Sequence, residues 1–390
     1  MCTSSLAADL NVSHWTGSVP NDPNVTALFS SIMTSPITAF TDSDVTIRSL
    51  RFENANSIAV TGFGTVHLGG TTTTNGSVVV SQGSHEQQSR VAVNADALEI
   101  DVNSGSRLEF DHQVTFNEST LTKTGGGTVQ FNNLLNTGSG TLVASEGIVS
   151  GVGVVVSLDN LSATVAPGRS PGTLTVNGDY TQGSAATLEI ELAGTAPGQH
   201  DQLLVVGSAT LDGTLDIVPL PTYSDPTSRG TADEIVLLTA GTRSGNFNSV
   251  EYDGAPLATD FTKSDGSFRD HVGNGLFRSV AYTDTGVTFQ NLLALPGDGD
   301  GDQDVDITDF NILASNFDPT SANSATNDWT TTDFDGDGDV DITDFNSLSS
   351  NFAPDGYGSV GADQVPEPST LALIGLFVMI IGIGRWHKIK

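Results

Sequence analysis

Leu121-Thr-Lys-Thr-Gly-Gly-Gly-Thr-Val-Gln-Phe131 reads as two short strands separated by a glycine turn. Related units follow as Gly140-Thr-Leu-Val-Ala-Ser-Glu-Gly147 and Ala209-Thr-Leu-Asp-Gly-Thr-Leu-Asp-Ile217. Val45-Thr-Ile-Arg-Ser-Leu-Arg-Phe52, Ala97-Leu-Glu-Ile-Asp-Val102 and Thr187-Leu-Glu-Ile-Glu-Leu192 alternate apolar and polar residues, the pattern of strands with one buried face. Gly, Asn or Ser interrupts such runs about every ten residues, and no stretch of residues 14–290 sustains a helical period. Short glycine-bounded strands in series suit stacked rungs, each burying one face against the next coil. The expected fold is mainly β, a parallel β-helix, with a β-sandwich as the structural alternative.

Leu121 to Gly127 and Val165-Ala-Pro-Gly-Arg-Ser-Pro-Gly-Thr-Leu-Thr-Val176 resemble autotransporter-associated β-strand repeats. The resemblance extends through His200-Asp-Gln-Leu-Leu-Val-Val206 to Thr239-Ala-Gly241. It implies a right-handed parallel β-helix, as in surface-exposed bacterial passengers. For catalysis, the best constellation is Glu99, Asp101, Glu109 and Asp111 with His112. If their two strands are neighbours, four acids share a face, and a pair could serve as glycosidase acid and base or hold calcium for a lyase. The same acids alternate with Leu98, Ile100, Leu108 and Phe110, so a solvated strand face also accounts for them. Gly125-Gly-Gly127 lacks the Lys-Ser/Thr of a phosphate loop, and His200-Asp201 has no nucleophile motif beside it.

The sharpest chemistry lies further on. Asp298-Gly-Asp-Gly-Asp-Gln-Asp-Val-Asp-Ile-Thr-Asp309 recurs as Asp333-Phe-Asp-Gly-Asp-Gly-Asp-Val-Asp-Ile-Thr-Asp344. Asp298, Asp300, Asp302, Asp306 and Asp309 fall at positions 1, 3, 5, 9 and 12, the spacing by which a twelve-residue loop wraps oxygens around one calcium. Asp304 at position 7 would supply its carbonyl. The second set is Asp333, Asp335, Asp337, Asp341 and Asp344 with the carbonyl of Asp339. Carboxylates about 5 Å apart repel by roughly 3 kcal/mol per pair at an effective dielectric near 20, so such loops call for a cation. Convergent oxygens favour calcium over magnesium, and the lack of nearby Cys or His argues against zinc. Two calcium ions are expected.

After each loop, apolar residues recur at helical intervals: Ile307, Phe310, Leu313, Ala314 and Phe317, then Ile342, Phe345, Leu348 and Phe352. No good helix former precedes either loop. A loop and one helix, twice, with Asp at position 12, resembles the type I dockerin module over Asp298 to about Pro354. That resemblance implies docking onto a cohesin-like domain through loop positions 10 and 11, here Ile307 and Thr308, and Ile342 and Thr343. Their shared helical face with Phe310 and Phe345 puts a core role for the two isoleucines ahead of a docking one. Gln303 stands at position 6, where the sharp turn favours Gly, so the first loop is expected to be the weaker.

The carboxyl end has three parts: Pro366-Glu367-Pro368, an apolar run Leu371–Ile383, and Arg385, His387, Lys388 and Lys390. Their order resembles the PEP-CTERM sorting signal, which implies export, transient membrane anchoring and processing by an exosortase-type enzyme. The basic cluster would remain cytoplasmic. Residues 1–13 lack a basic and an apolar stretch, though Ser5-Leu6-Ala7 reads as the small-residue end of a cleavage site. A single cysteine excludes an intrachain disulfide and a multi-Cys zinc site.

Net charge is -32, with 14 Lys and Arg in total, which leaves no basic face for nucleic acid. The sequence therefore divides into a residual N-terminal segment (1–13), a β-repeat region (14–290), a linker (291–297), a double calcium loop (298–354), a second linker (355–364) and a sorting signal (365–390). The expected function is an exported cell-surface or exopolysaccharide-matrix protein, structural or adhesive. The alternatives are a polysaccharide lyase or glycoside hydrolase, or a cohesin-docked scaffold subunit.

Overall fold

The computed structural model describes residues 21–31, 34–69, 75–116, 120–136, 140–321 and 325–357, with the backbone of the paired strands Cys2–Thr3 and Trp15–Thr16. The sorting segment, including Pro366, Glu367, Pro368 and Arg385, lies outside the described residues. Among those described, no helix is long and apolar enough to cross a membrane. The described residues divide into two compact units: the second takes Gly273–Gly275 and the chain from Ala294 on, and the first takes the rest.

The first unit is mainly β, its strands gathered in long parallel sheets consistent with a β-helix. Each turn of the coil contributes three strands. Ala97–Val102, Arg107–Phe110 and Val114–Phe116 make one turn; Thr120–Thr124, Thr128–Phe131 and Leu135–Asn136 make the next. Each strand pairs in parallel with its counterpart one turn on: Leu98 opposes Leu121, Leu108 opposes Val129, and Val114 opposes Leu135. A turn closes in as little as Leu142 to Leu158 and as much as Leu203 to Leu238. This parallel pairing sets aside the β-sandwich expectation.

Alternation explains the coil. The residue of a strand that points inward meets the same position of the next turn, about 4.8 Å away, so one inward file stacks on itself. Leu98, Leu121, Leu142, Leu158, Tyr180 and Ala209 form one file, all buried. Ile58, His85, Leu108, Val129, Val149 and Val165 form another. Ring pairs reinforce the files: Phe110 stacks on Phe131 at 5.4 Å, and Phe52 lies between Phe29 at 5.2 Å and His85 at 4.5 Å. Each fully buried aliphatic or aromatic side chain contributes about 1.5–3 kcal/mol.

Two charged side chains break the inward rule and are absorbed by backbone. Lys123, 1 % exposed, stands in file between Ile100 and Ala144. Its ammonium donates to the carbonyls of Thr124 (2.6 Å), Gly125 (2.5 Å) and Glu146 (3.1 Å), so it closes the glycine turn onto the following rung. Burial pushes its pKa down to about 8, against the pull of Asp101 and Glu146. Asp201, 1 % exposed, accepts from Gly172 N–H (2.7 Å) and Glu191 N–H (3.0 Å), which ties the Arg169–Gly172 corner to the coil. Burial, helped by Glu191 and Glu189, raises it to about 7 although those two N–H groups oppose the shift.

The third column changes character at its end. Thr231–Thr239 pairs antiparallel with Gly286–Leu293, which pairs antiparallel with Leu276–Thr283, and Phe268–Gly273 lies outermost.

Candidate metal centre

In the second unit each twelve-residue loop leads into one helix, α1 (Ile307–Asn316) and α2 (Ile342–Ser350). Among the described residues no α-helix enters either loop; the second is preceded by a single 3-10 turn, Trp329–Thr331. The two halves repeat most of each other's bonds and differ at position 5, whose N–H goes to Asp298 in the first loop (3.2 Å) and to Asp335 in the second (3.3 Å). Position 12 accepts from the N–H groups of positions 2 and 9: Asp309 from Gly299 and Asp306 (both 2.8 Å), Asp344 from Phe334 (2.8 Å) and Asp341 (2.9 Å). Position 1 accepts from positions 4 and 6: Asp298 from Gly301 (2.6 Å) and Gln303 (3.1 Å), Asp333 from Gly336 (2.7 Å) and Gly338 (3.0 Å). Position 8 of each loop bridges antiparallel to the segment after the other helix, Val305 with Ala353 and Val340 with Asp318.

Part of this acidity is ordinary helix capping. Asp306 and Asp341 are N-caps that accept from Thr308 and Thr343 N–H at 2.6 Å, and with Asp309 and Asp344 they complete capping boxes. Positions 1, 3 and 5 have no such explanation. Asp298 is 0 % exposed, and burial first, then Asp309 and Asp300, pushes it up to about 7. Asp309 is raised to about 6 by burial, with Asp300 and Asp302 adding to it. Asp304 rises to about 6 for the same two reasons, burial and its acidic neighbours. Asp335, Asp339 and Asp344 shift upward as well, burial again leading and neighbouring aspartates adding.

Carboxylate oxygens gather within 4.8 Å of one another in four triads: Asp298, Asp300 and Asp302; Asp304, Asp306 and Asp309; Asp333, Asp335 and Asp344; Asp339, Asp341 and Asp344. Asp337 joins none of these triads. Asp304 and Asp339 take part through their side chains, where the sequence points to their carbonyls. Asp339 Oδ1 is buried and has no hydrogen-bond partner among the described residues. An all-oxygen donor set with an unsatisfied buried oxygen fits a hard divalent cation.

The isoleucines overturn one expectation. Ile307 is 61 % exposed and Ile342 60 %, so neither belongs to the core. At about 100° per residue, Ile307 lies some 120° round α1 from the buried Leu313, outside the stripe that faces the unit's interior. The core is instead Val305, Leu313, Trp329, Phe334, Val340 and Leu348. Phe310 and Phe345 meet edge to face at 6.4 Å, and Thr308 and Thr343 are exposed beside the isoleucines. Gln303 has φ 72°, the left-handed turn that Gly338 adopts at φ 89° in the second loop.

The β-unit acids do not converge. Glu99 and Asp101 belong to one column, Glu109 to the next, and Asp111 to the corner after it, so the shared face does not form. Glu109 is bound by Arg107 (2.9 Å) and Arg169 (3.2 Å), and Asp111 accepts from Asn132 (2.7 Å). Glu99 alone of the four lines a groove of about 500 Å³, with Arg48, Ser77, Leu98 and Thr122. Tyr357, whose hydroxyl donates to Asp298 Oδ2, lies beyond the module boundary expected at about Pro354; Trp329, whose Nε1 donates to the Asp298 carbonyl at 2.7 Å, lies inside the module but in no motif. No family model and no curated protein matches the chain.

Proposed function

We propose that the chain is an exported cell-surface or matrix protein whose parallel coil is structural or adhesive and whose paired loops bind two calcium ions. The observation that carries the calcium reading is the repetition, in two loops, of the bonds to positions 1 and 12, with position 1 buried among other carboxylates in each. Asp298, Asp300, Asp302, Asp306 and Asp309 would hold one ion, and Asp333, Asp335, Asp337, Asp341 and Asp344 the other. Bound calcium would neutralise each cluster and so permit the loops and their helices to close. The resemblance to type I dockerins supports a docking role, with a cohesin-like domain as the partner class. Exposed Ile307, Thr308, Ile342 and Thr343, duplicated around the pair of helices, support the same role. The resemblance to autotransporter-associated repeats supports a right-handed coil, and that to PEP-CTERM signals supports export with exosortase-type processing. Glu109 and Asp111 are committed to Arg and Asn partners, which favours a structural coil over a polysaccharide lyase or hydrolase.

Calorimetric titration of the metal-free full chain tests the reading. Two calcium ions should bind per chain, with magnesium displaced, and Asp302→Ala or Asp337→Ala should each remove one. A chain that takes up no calcium would refute it.

A further inference from the structure

The two loops share most of their internal bonds but not their surroundings. The Tyr357 hydroxyl donates to Asp298 Oδ2 and accepts from Leu295 N–H at 3.0 Å, while its backbone N–H donates to the Gln303 carbonyl at 2.9 Å. One residue beyond α2 thus grips position 1 and position 6 of the first loop together. Position 6 is where Gln303 holds the left-handed conformation that its side chain disfavours. In the second loop Asp333 accepts from the backbone of Gly336 and Gly338, position 6 is a glycine, and among the described residues no hydroxyl donates to Asp333.

We infer that Tyr357 is a positioning residue of the first ion site: it fixes the Asp298 carboxylate and the Gln303 turn for a hard divalent cation. The first site therefore depends on chain beyond α2, and the second does not. This inference rests on the calcium reading above. A phenol donor on a carboxylate is a charge-assisted bond, and the hydroxyl also engages Leu295 N–H, so the phenol resists rotation and restrains the carboxylate it holds. The interaction offsets the cost of a non-glycine residue at position 6.

The test uses the full chain with one loop disabled at a time. Asp337→Ala leaves the first loop, and Asp302→Ala leaves the second. Adding Tyr357→Phe keeps the ring and removes the donor. Calcium affinity should fall about tenfold in the Asp337→Ala protein, the scale of one hydrogen bond to a charged group, and calcium should leave faster in stopped-flow chelation. In the Asp302→Ala protein the change should stay below about twofold. Equal weakening at both loops, or none at the first, overturns the inference. A second measurement needs no phenylalanine variant. Tyr357 is the only tyrosine after Tyr282, so ultraviolet difference absorbance should show a tyrosine change as calcium fills the first loop and none as it fills the second. The reverse, or the same change in both, also overturns it. If neither single-loop protein binds calcium, the calcium reading itself falls and the inference with it, a result separate from binding that ignores Tyr357.

Discussion

The coil and the loop unit solve opposite problems. In the coil, inward positions repeat turn after turn, so most inward side chains find an apolar partner directly above them, and apolar burial closes the structure from within. In the loop unit, inward positions are filled by like charges. Asp298 and Asp344 are as buried as the leucines of the coil, yet burial raises their pKa values and so disfavours the charged form. One region is stabilised by what it buries; the other is burdened by it. The comparison teaches that burial has no fixed sign until the partner of the buried group is named.

The largest effect should come from removing calcium. A chelator should abolish the helical signal of α1 and α2 in circular dichroism and leave the β signal, because the helices follow loops that gather aspartates into clusters while the strands rest on apolar files; equal loss of both signals would break the contrast. Next, Phe131→Ala should cost the coil about 4 kcal/mol through the lost ring and the cavity beneath Phe110. Denaturant unfolding should register this while calcium affinity stays unchanged.

A smaller effect concerns pH. Asp201 in the folded coil has its pKa raised from the ordinary carboxylate range to about 7. The stabilisation that comes with its proton is complete below about pH 4 and is lost as pH rises through about 7. The coil should therefore lose on the order of 2 kcal/mol between pH 5 and pH 8 from this group. Asp201→Asn should flatten that part of the profile, and an unchanged slope would count against the assignment. Smallest of all, Gln303→Gly should relieve the left-handed strain and strengthen the first calcium site by about 1 kcal/mol, roughly fivefold, with the second untouched. Titration of the Asp337→Ala protein reads this directly.

Much of the coil was legible because its signal is local and repeated. Ala97-Leu-Glu-Ile-Asp-Val102 and Thr187-Leu-Glu-Ile announce strands by alternation alone. The polar residues inside it were legible in principle: Lys123 falls in phase with Leu121, and Asp201 with Leu203 and Val205, so both sit at inward positions. What alternation cannot supply is the backbone partner that makes burial tolerable. The loops were legible from carboxylate spacing, since the ligand positions lie within twelve residues. The exposure of Ile307 and Ile342 was not, because a helical face says which residues lie together and not which way that face points. Tyr357 was hidden for another reason. It reaches Asp298 from 59 residues away across a turn with no period, and a lone tyrosine after Pro354-Asp-Gly carries no signal.

The antiparallel strands that end the third column bear on how the molecule behaves in a crowd. A stack of parallel rungs is a template that could recruit another chain and grow, as fibrils do. Here the column turns back on itself, and its outermost strand, Phe268-Arg-Asp-His-Val-Gly273, sets Arg269, Asp270 and His271 along the last edge. An incoming strand would meet charges and reversed polarity where elongation needs a matching rung. The coil thus carries its own chain terminator, which at this column favours a discrete particle over a filament.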